Sequence, residues 1–255
     1  MVMDIASIKV IQITDTHILD DGASSFNDFD TSASLQNIIK KIKKDESDAD
    51  IILLTGDLIH EATITSYQKL AEHLSSLTVP VFCLPGNHDD LNMMTEVMEK
   101  NEHAVEKIIE VGDWIIILLN TCVTGEHSGK LSNSELDFLR KTLETYSDDH
   151  CLIALHHHPV SINSPWMDGM MLINSEEFLS ITDEFEQVRG IIWGHIHQEF
   201  ESSRKEVKLI GSPSTCIQFK PKSDAFAVDE KPPAYRKLEL QVDGKIDTEV
   251  VYLTE

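Results

Sequence analysis

The chain has 255 residues, 41 % of them hydrophobic and 25 % charged, an ordinary composition for a globular protein and enough for one substantial α/β domain, expected over 1–255. A formal net charge of −23 opposes attraction to nucleic acid or anionic lipid, and no apolar run approaches the roughly 20 residues of a membrane helix. Cys83, Cys122, Cys151 and Cys216 form no CxxC pair, and MVMDIASIKV lacks a basic region leading into an apolar one. Free thiols and a cytoplasmic location are therefore expected, with neither nucleic acid nor membrane as a partner.

Taken in chain order, strand, polar motif and helix alternate. Residues 8–14 read as a strand, and a polar loop follows at 19–31. Leu35, Ile38, Ile39 and Ile42 recur at helical spacing, with Thr31 or Ser32 as the cap. Strand 51–55, a helix near 65–77 and strand 79–84 come next. No element is assigned from there to strand 107–111, which Gly112-Asp113 joins to strand 114–120 as a hairpin. Ser132-Asn133-Ser134-Glu135 has the capping-box pattern ahead of a helix bearing Leu136, Leu139 and Leu143. Strand 151–155, a helix near 175–187 and strand 190–193 follow. Beyond them, 207–210, 214–219, 235–241 and 247–252 read as short strands separated by turns, which predicts a second sheet.

The polar motifs stand at the ends of apolar runs. KVIQIT leads into Asp15-Thr16-His17, IILLT into Gly56-Asp57, and VPVFCLP into Gly86-Asn87-His88-Asp89. CLIAL leads into His156-His157-His158-Pro159, and GIIW into Gly194-His195-Ile196-His197. Runs of Ile, Leu and Val without alternation are strands buried on both faces, and open α/β sheets build their sites at strand ends. Carboxylate, imidazole and amide groups suit hard and borderline divalent cations. A DxH or HxH alone is commonplace; the ordered set of five carries the information. In an extended segment Asp15 and His17 would point to one side, as would His195 and His197. The same alternation sets His157 apart from its neighbours. His158 is left for the substrate, and His156 for a polar partner beneath the sheet. His60, His73, His103, His127 and His150 have no ligand context and read as surface residues.

The ordered pattern DxH…GD…GNHD…HxP…GHxH, over about 8–219, resembles the calcineurin-like metallophosphoesterases. The resemblance implies a four-layer αββα sandwich of two mixed sheets, with two divalent metal ions. Iron or manganese comes first, with zinc or cobalt also admissible. By motif, Asp15, His17 and His197 would hold one ion, Asn87, His157 and His195 the other, and Asp57 would bridge them. His88 would be the acid near the leaving oxygen, and Asn87, His88 and His197 would contact the substrate. Asp89 would orient His88 or a ligand histidine.

A narrower resemblance rests on Gln12–His17, Phe29–Ser32, Leu84–Asp89, His156–Pro159, Gly194–Glu199 and the non-ligand stretch Pro213–Pro221. These segments are similar to the class III cyclic nucleotide phosphodiesterases, among them bacterial enzymes acting on 3′,5′-cyclic AMP. The implied reaction is hydrolysis of cyclic AMP, a small-molecule substrate, to 5′-AMP by water activated between two cations. Loop 20–29, DDGASSFNDF, is acidic for the neighbourhood of an anion. Specificity is expected in loops 19–31, 123–131, 160–175 and 215–234, where Asn163, Trp166, Phe219 and Lys220 are candidate nucleotide contacts. Another phosphodiester or monoester substrate is the enzymatic alternative. A non-catalytic scaffold with this fold is the other, and every ligand position being filled speaks against it.

Overall fold

A computed structural model describes residues 7–20 and 26–253; the leader reading of 1–6 and part of the acidic 20–29 loop lie outside the described residues. Strands β1 (Ile8–Ile13), β2 (Ile51–Thr55) and β3 (Val81–Leu84) alternate with helices α1 (Thr31–Asp45), α2 (Ile64–Leu74) and α3 (Leu91–Lys100). Strands β4 (Ile108–Val111) and β5 (Trp114–Leu118), helix α4 (Asn133–Thr145) and strand β6 (His150–Leu155) follow. Next come α5 (Pro165–Asp168), α6 (Ser175–Thr182), β7 (Val188–Trp193), β8 (Phe200–Arg204) and β9 (Val207–Gly211). The chain ends with β10 (Gln218–Phe219), β11 (Val228–Asp229), β12 (Ala234–Leu240) and β13 (Ile246–Tyr252).

One sheet has the order β13-β12-β1-β2-β3 and the other β4-β5-β6-β7-β9-β8, while β10 and β11 pair apart. Both large sheets are mixed. β1, β2 and β3 run parallel, with β12 antiparallel to β1; β5, β6, β7 and β9 run parallel between antiparallel edges β4 and β8. The unbroken apolar strings divide by alternation between separate cores. Ile11, Ile13, Ile52 and Leu54 face Leu35, Ile38, Tyr67 and Met94 of the first three helices. Ile115, Ile117, Ile153 and Ile191 face Leu136, Leu139 and Phe178 of α4 and α6. Val10, Leu53, Ile116, Leu118, Leu152 and Ile192 meet between the sheets. Three cores separate four layers, α, β, β, α. Each buried side chain of this size contributes about 1.5–3 kcal/mol.

Local chemistry explains the departures from the sequence expectations. The side chain of Asp30, rather than Thr31 or Ser32, caps α1, accepting from Ala33 N at 2.9 Å. The capping box of α4 is half formed: Ser132 Oγ accepts from Glu135 N, but Glu135 turns to Lys107 and Asn120 N. Helix α3, unassigned from sequence, starts where Asp90 accepts from Met93 N and buries only Met94, Val97 and Met98. Helix α6 stops at Thr182 rather than 187. Strand β8 has no apolar signal in the sequence because FESSR is a largely exposed edge. Of the expected strand 214–219, only Gln218–Phe219 pairs as a strand. Instead, 214–217 is held by side chains, with Ser214 Oγ donating to Asp15 O and Ser34 Oγ to Thr215 O.

Candidate metal centre

The five motifs converge where β1, β2, β3, β6 and β7 end. Strand pairing continues past the strands as backbone bonds: Asp15 N donates to Gly56 O, His17 N to Asp57 O and Ile18 N to Leu58 O, at 3.0–3.1 Å. The motif backbone is not extended. Asp15, His17, Asp57, His195 and His197 have φ of 53°, 43°, 49°, 66° and 47°, the left-handed region that residues with a Cβ seldom occupy. This turn, rather than strand alternation, aims each pair of side chains. Such strain concentrates at functional sites and persists where the surroundings overdetermine it.

Ligand-type atoms of Asp15, His17 and His197 lie within 4.8 Å of one another, as do those of Asp15, Asp57 and His156, and those of His156, His157 and His195. The clusters share members and form one buried band. His197 donates Nδ1–H to Ile217 O at 2.8 Å, which turns Nε2 toward Asp15 Oδ1 and His17 Nε2, both at 3.3 Å. His157 pairs through Nδ1 with Thr121 Oγ1 at 2.7 Å and leaves Nε2 without a partner. Such bonds fix tautomer and ring orientation in metal-ligating histidines. Asp57 stands between the clusters. Its Oδ1 accepts from His88 N at 2.9 Å, and its Oδ2 lies 3.3 Å from His156 Nε2 and 3.8 Å from His17 Nε2.

The donor set fits a pair of divalent cations. Asn87 Oδ1, His157 Nε2 and His195 Nε2 are buried polar atoms with no hydrogen-bond partner, and unsatisfied buried groups are rare without a ligand, ion or water. Burial, with the neighbouring imidazoles, holds His157 and His195 well below the ordinary histidine pKa, so their nitrogens keep free lone pairs. Burial also lowers His17, against the pull of Asp57. At His197 burial opposes charge, but Asp15 outweighs it and raises the imidazole well above its ordinary range. A cation on that nitrogen would displace the proton. Backbone closeness requires glycine here: a Cβ on Gly86 would stand 2.2 Å from Asp57 N, and one on Gly194 2.0 Å from Thr14 Oγ1.

The remaining motif residues take particular places. His88 is half-buried, with Nδ1 2.7 Å from His60 O and its ring 5.1 Å from that of His60. Asp89 orients no histidine. It accepts from Gly86 N, Leu58 N and Tyr67 OH, and burial together with Asp57 lifts its carboxyl to about 6. His156 bonds Thr55 O beneath it at 2.9 Å yet also reaches the band, because β6 ends at Leu155 and the alternation ends with it. His158 is fully buried, 3.5 Å from Asp168, rather than open to a substrate.

Of the five histidines expected at the surface only His127 is exposed. His103 is buried, and His60, His73 and His150 are half-buried, His60 with ligand-type atoms near those of His17 and His88. Thr121, Ile217 and Gly129, whose Cβ would meet the His157 ring at 2.4 Å, support the site without any sequence signal that singles them out.

This fold and band of candidate ligands define a class. Residues 8–199 match the model of the calcineurin-like phosphoesterases, and the chain belongs to that family. It is 34 % identical over 243 residues to the 3′,5′-cyclic adenosine monophosphate phosphodiesterase CpdA of Pseudomonas aeruginosa, covering 95 % of this chain and 89 % of that one. It is 38 % identical over 243 residues to the 3′,5′-cyclic-nucleotide phosphodiesterase alr5338 of Nostoc sp., covering 95 % and 91 %. Among solved structures, a dimetal phosphatase from Danio rerio superposes with a TM-score of 0.63 at 14 % identity, covering 98 % of this chain and 100 % of that one. That likeness establishes the fold alone.

Proposed function

We propose that the protein hydrolyses 3′,5′-cyclic AMP to 5′-AMP, using two divalent cations. The observation that carries the chemistry is the position of Asp57, whose Oδ2 lies 3.8 Å from His17 Nε2 and 3.3 Å from Nε2 of His156, the neighbour that clusters with His157 and His195. The substrate rests on the relatives named for cyclic AMP and cyclic nucleotides. In this reading Asp15, His17 and His197 would hold one ion, Asn87, His157 and His195 the other, and Asp57 would hold both. Bound there, the ions supply Lewis acidity that activates water and neutralises phosphate oxygens; iron or manganese is our first choice.

The protein's own groups do the rest. With Nδ1–H donated to His60 O, His88 keeps Nε2 for the proton that the leaving 3′-oxygen needs near neutral pH. Asn87 and His197 border the phosphate. The thiols fit a reducing cytoplasm, since Cys83, Cys122, Cys151 and Cys216 are all unpaired.

A substrate panel with added Mn²⁺ or Fe²⁺ tests the reading: 3′,5′-cyclic AMP, 2′,3′-cyclic nucleotides, bis-p-nitrophenyl phosphate and a phosphomonoester. Preference for 3′,5′-cyclic AMP supports it, and turnover confined to the monoester overturns it.

A further inference from the structure

Beside the metal centre two of the candidate nucleotide contacts, Trp166 and Phe219, join Phe226 in an aromatic cluster that the hydrolytic chemistry does not use. The Phe219 ring stacks on the His197 imidazole at 3.9 Å and 7° from parallel. Trp166 meets Phe219 edge-on at 5.3 Å, Phe226 meets Phe219 at 5.5 Å, and Trp166 and Phe226 stand at 5.6 Å and 89°. Three rings in mutual contact thus continue outward from a candidate ligand, on two segments remote in sequence. Phe219 N donates to His197 O at 2.9 Å, and Ser223 N donates to Ser164 Oγ at 3.3 Å, which ties the loop carrying Phe226 to the start of α5.

Two details are poorly explained by packing alone. Phe226 is 52 % exposed, so a large apolar face is left to solvent at the outer side of the cluster. Trp166 Nε1 is buried and has no acceptor, whereas a buried indole N–H usually finds one.

We propose that Trp166, Phe219 and Phe226 form the seat for the heterocyclic base of the substrate. The base packs on the exposed aromatic face, and its ring nitrogens offer an acceptor for Trp166 Nε1–H. Base–aromatic stacking is strong enough to decide specificity and tolerates any planar base, so this seat selects nucleotides over simple diesters without hydrogen-bond readout of adenine against guanine. The inference rests on the proposed nucleotide reading of the site and names its specificity-determining residues.

The test separates base from phosphate. On the Mn²⁺-loaded protein, binding of 5′-AMP and of ribose 5-phosphate is followed by intrinsic fluorescence; Trp114 and Trp193 are fully buried, so Trp166 is the responsive reporter. The wild type should bind 5′-AMP more tightly and show a Trp166 signal. Phe226→Ala should weaken 5′-AMP by about fivefold or more, the low end for losing one base–aromatic contact, and ribose 5-phosphate far less. In calorimetry, Trp166→Phe, which keeps a ring and removes the N–H, should weaken 5′-AMP selectively. Equal affinity for the two ligands in the wild type, or equal losses for both in Phe226→Ala, overturns the seat. If the wild type binds 5′-AMP tightly through Phe226 but does not hydrolyse cyclic AMP, the proposed reaction fails and the seat stands.

Discussion

Asp15 accepts the backbone N–H of His195 on both carboxylate oxygens, at 3.1 and 3.0 Å. The acceptor comes from the end of β1 in one sheet and the donor from the end of β7 in the other. A candidate metal ligand is therefore also a clasp between the sheets. Removing it should loosen the join between the sheets as well as change the charge; Asp57, whose Oδ1 accepts from His88 N within one sheet's strand ends, is the cleaner probe of ion binding.

Asp57→Ala should abolish phosphodiester hydrolysis and lower the metal content after purification, read by elemental analysis against the wild type. Asn87→Ala should do the same with a smaller loss of metal, since one neutral oxygen is removed. Full metal content in Asp57→Ala would refute the bridging assignment.

His88→Ala should keep its metal and lose turnover by about 10²–10⁴-fold, the usual range for a lost general acid. The loss should shrink with p-nitrophenyl esters, whose leaving group needs no proton. A variant that loses metal while still turning over cyclic AMP would show that His88 is a ligand instead.

Gly194→Ala should destabilise the fold by about 1–3 kcal/mol, the usual cost of overpacking, because its Cβ would lie 2.0 Å from Thr14 Oγ1 and 2.7 Å from Asp15 Oδ2. Activity should fall further than stability, since the displaced group is a candidate ligand. Thermal unfolding and metal content together check this.

Arg236 is fully buried and donates to Ser212 Oγ, Gly211 O, Thr248 Oγ1 and Glu201. Ser212 in turn donates to Gln12, which reaches Thr55 Oγ1 and Trp193 O. This chain of bonds joins the sheets directly below the metal centre. Arg236→Met keeps much of the volume but strands several acceptors, each costing about 1–3 kcal/mol. The midpoint of urea unfolding should fall by the equivalent of about 2–4 kcal/mol.

The architecture was legible where burial is deep. IILLT and CLIAL announce strands because both faces of each sheet are covered, and the motif order puts the candidate ligands at their ends. Exposed or weakly apolar pieces were not legible: FESSR is an edge strand, and α3 buries little beyond methionine and valine. Alternation also misled within the site, since it presumes a strand that has already ended at Leu155 and at Ile13. His60 escaped notice because its place depends on a loop meeting another loop, which no spacing encodes.

Five candidate ligand residues hold left-handed backbone conformations, fixed by bonds to neighbouring backbone and, at His195, to the Asp15 carboxylate. Such a frame owes its shape to folding, so loading with metal becomes a docking event on a finished mould. Ions should then exchange without unfolding the protein, and the resident pair in a given cell should follow local supply as much as intrinsic affinity.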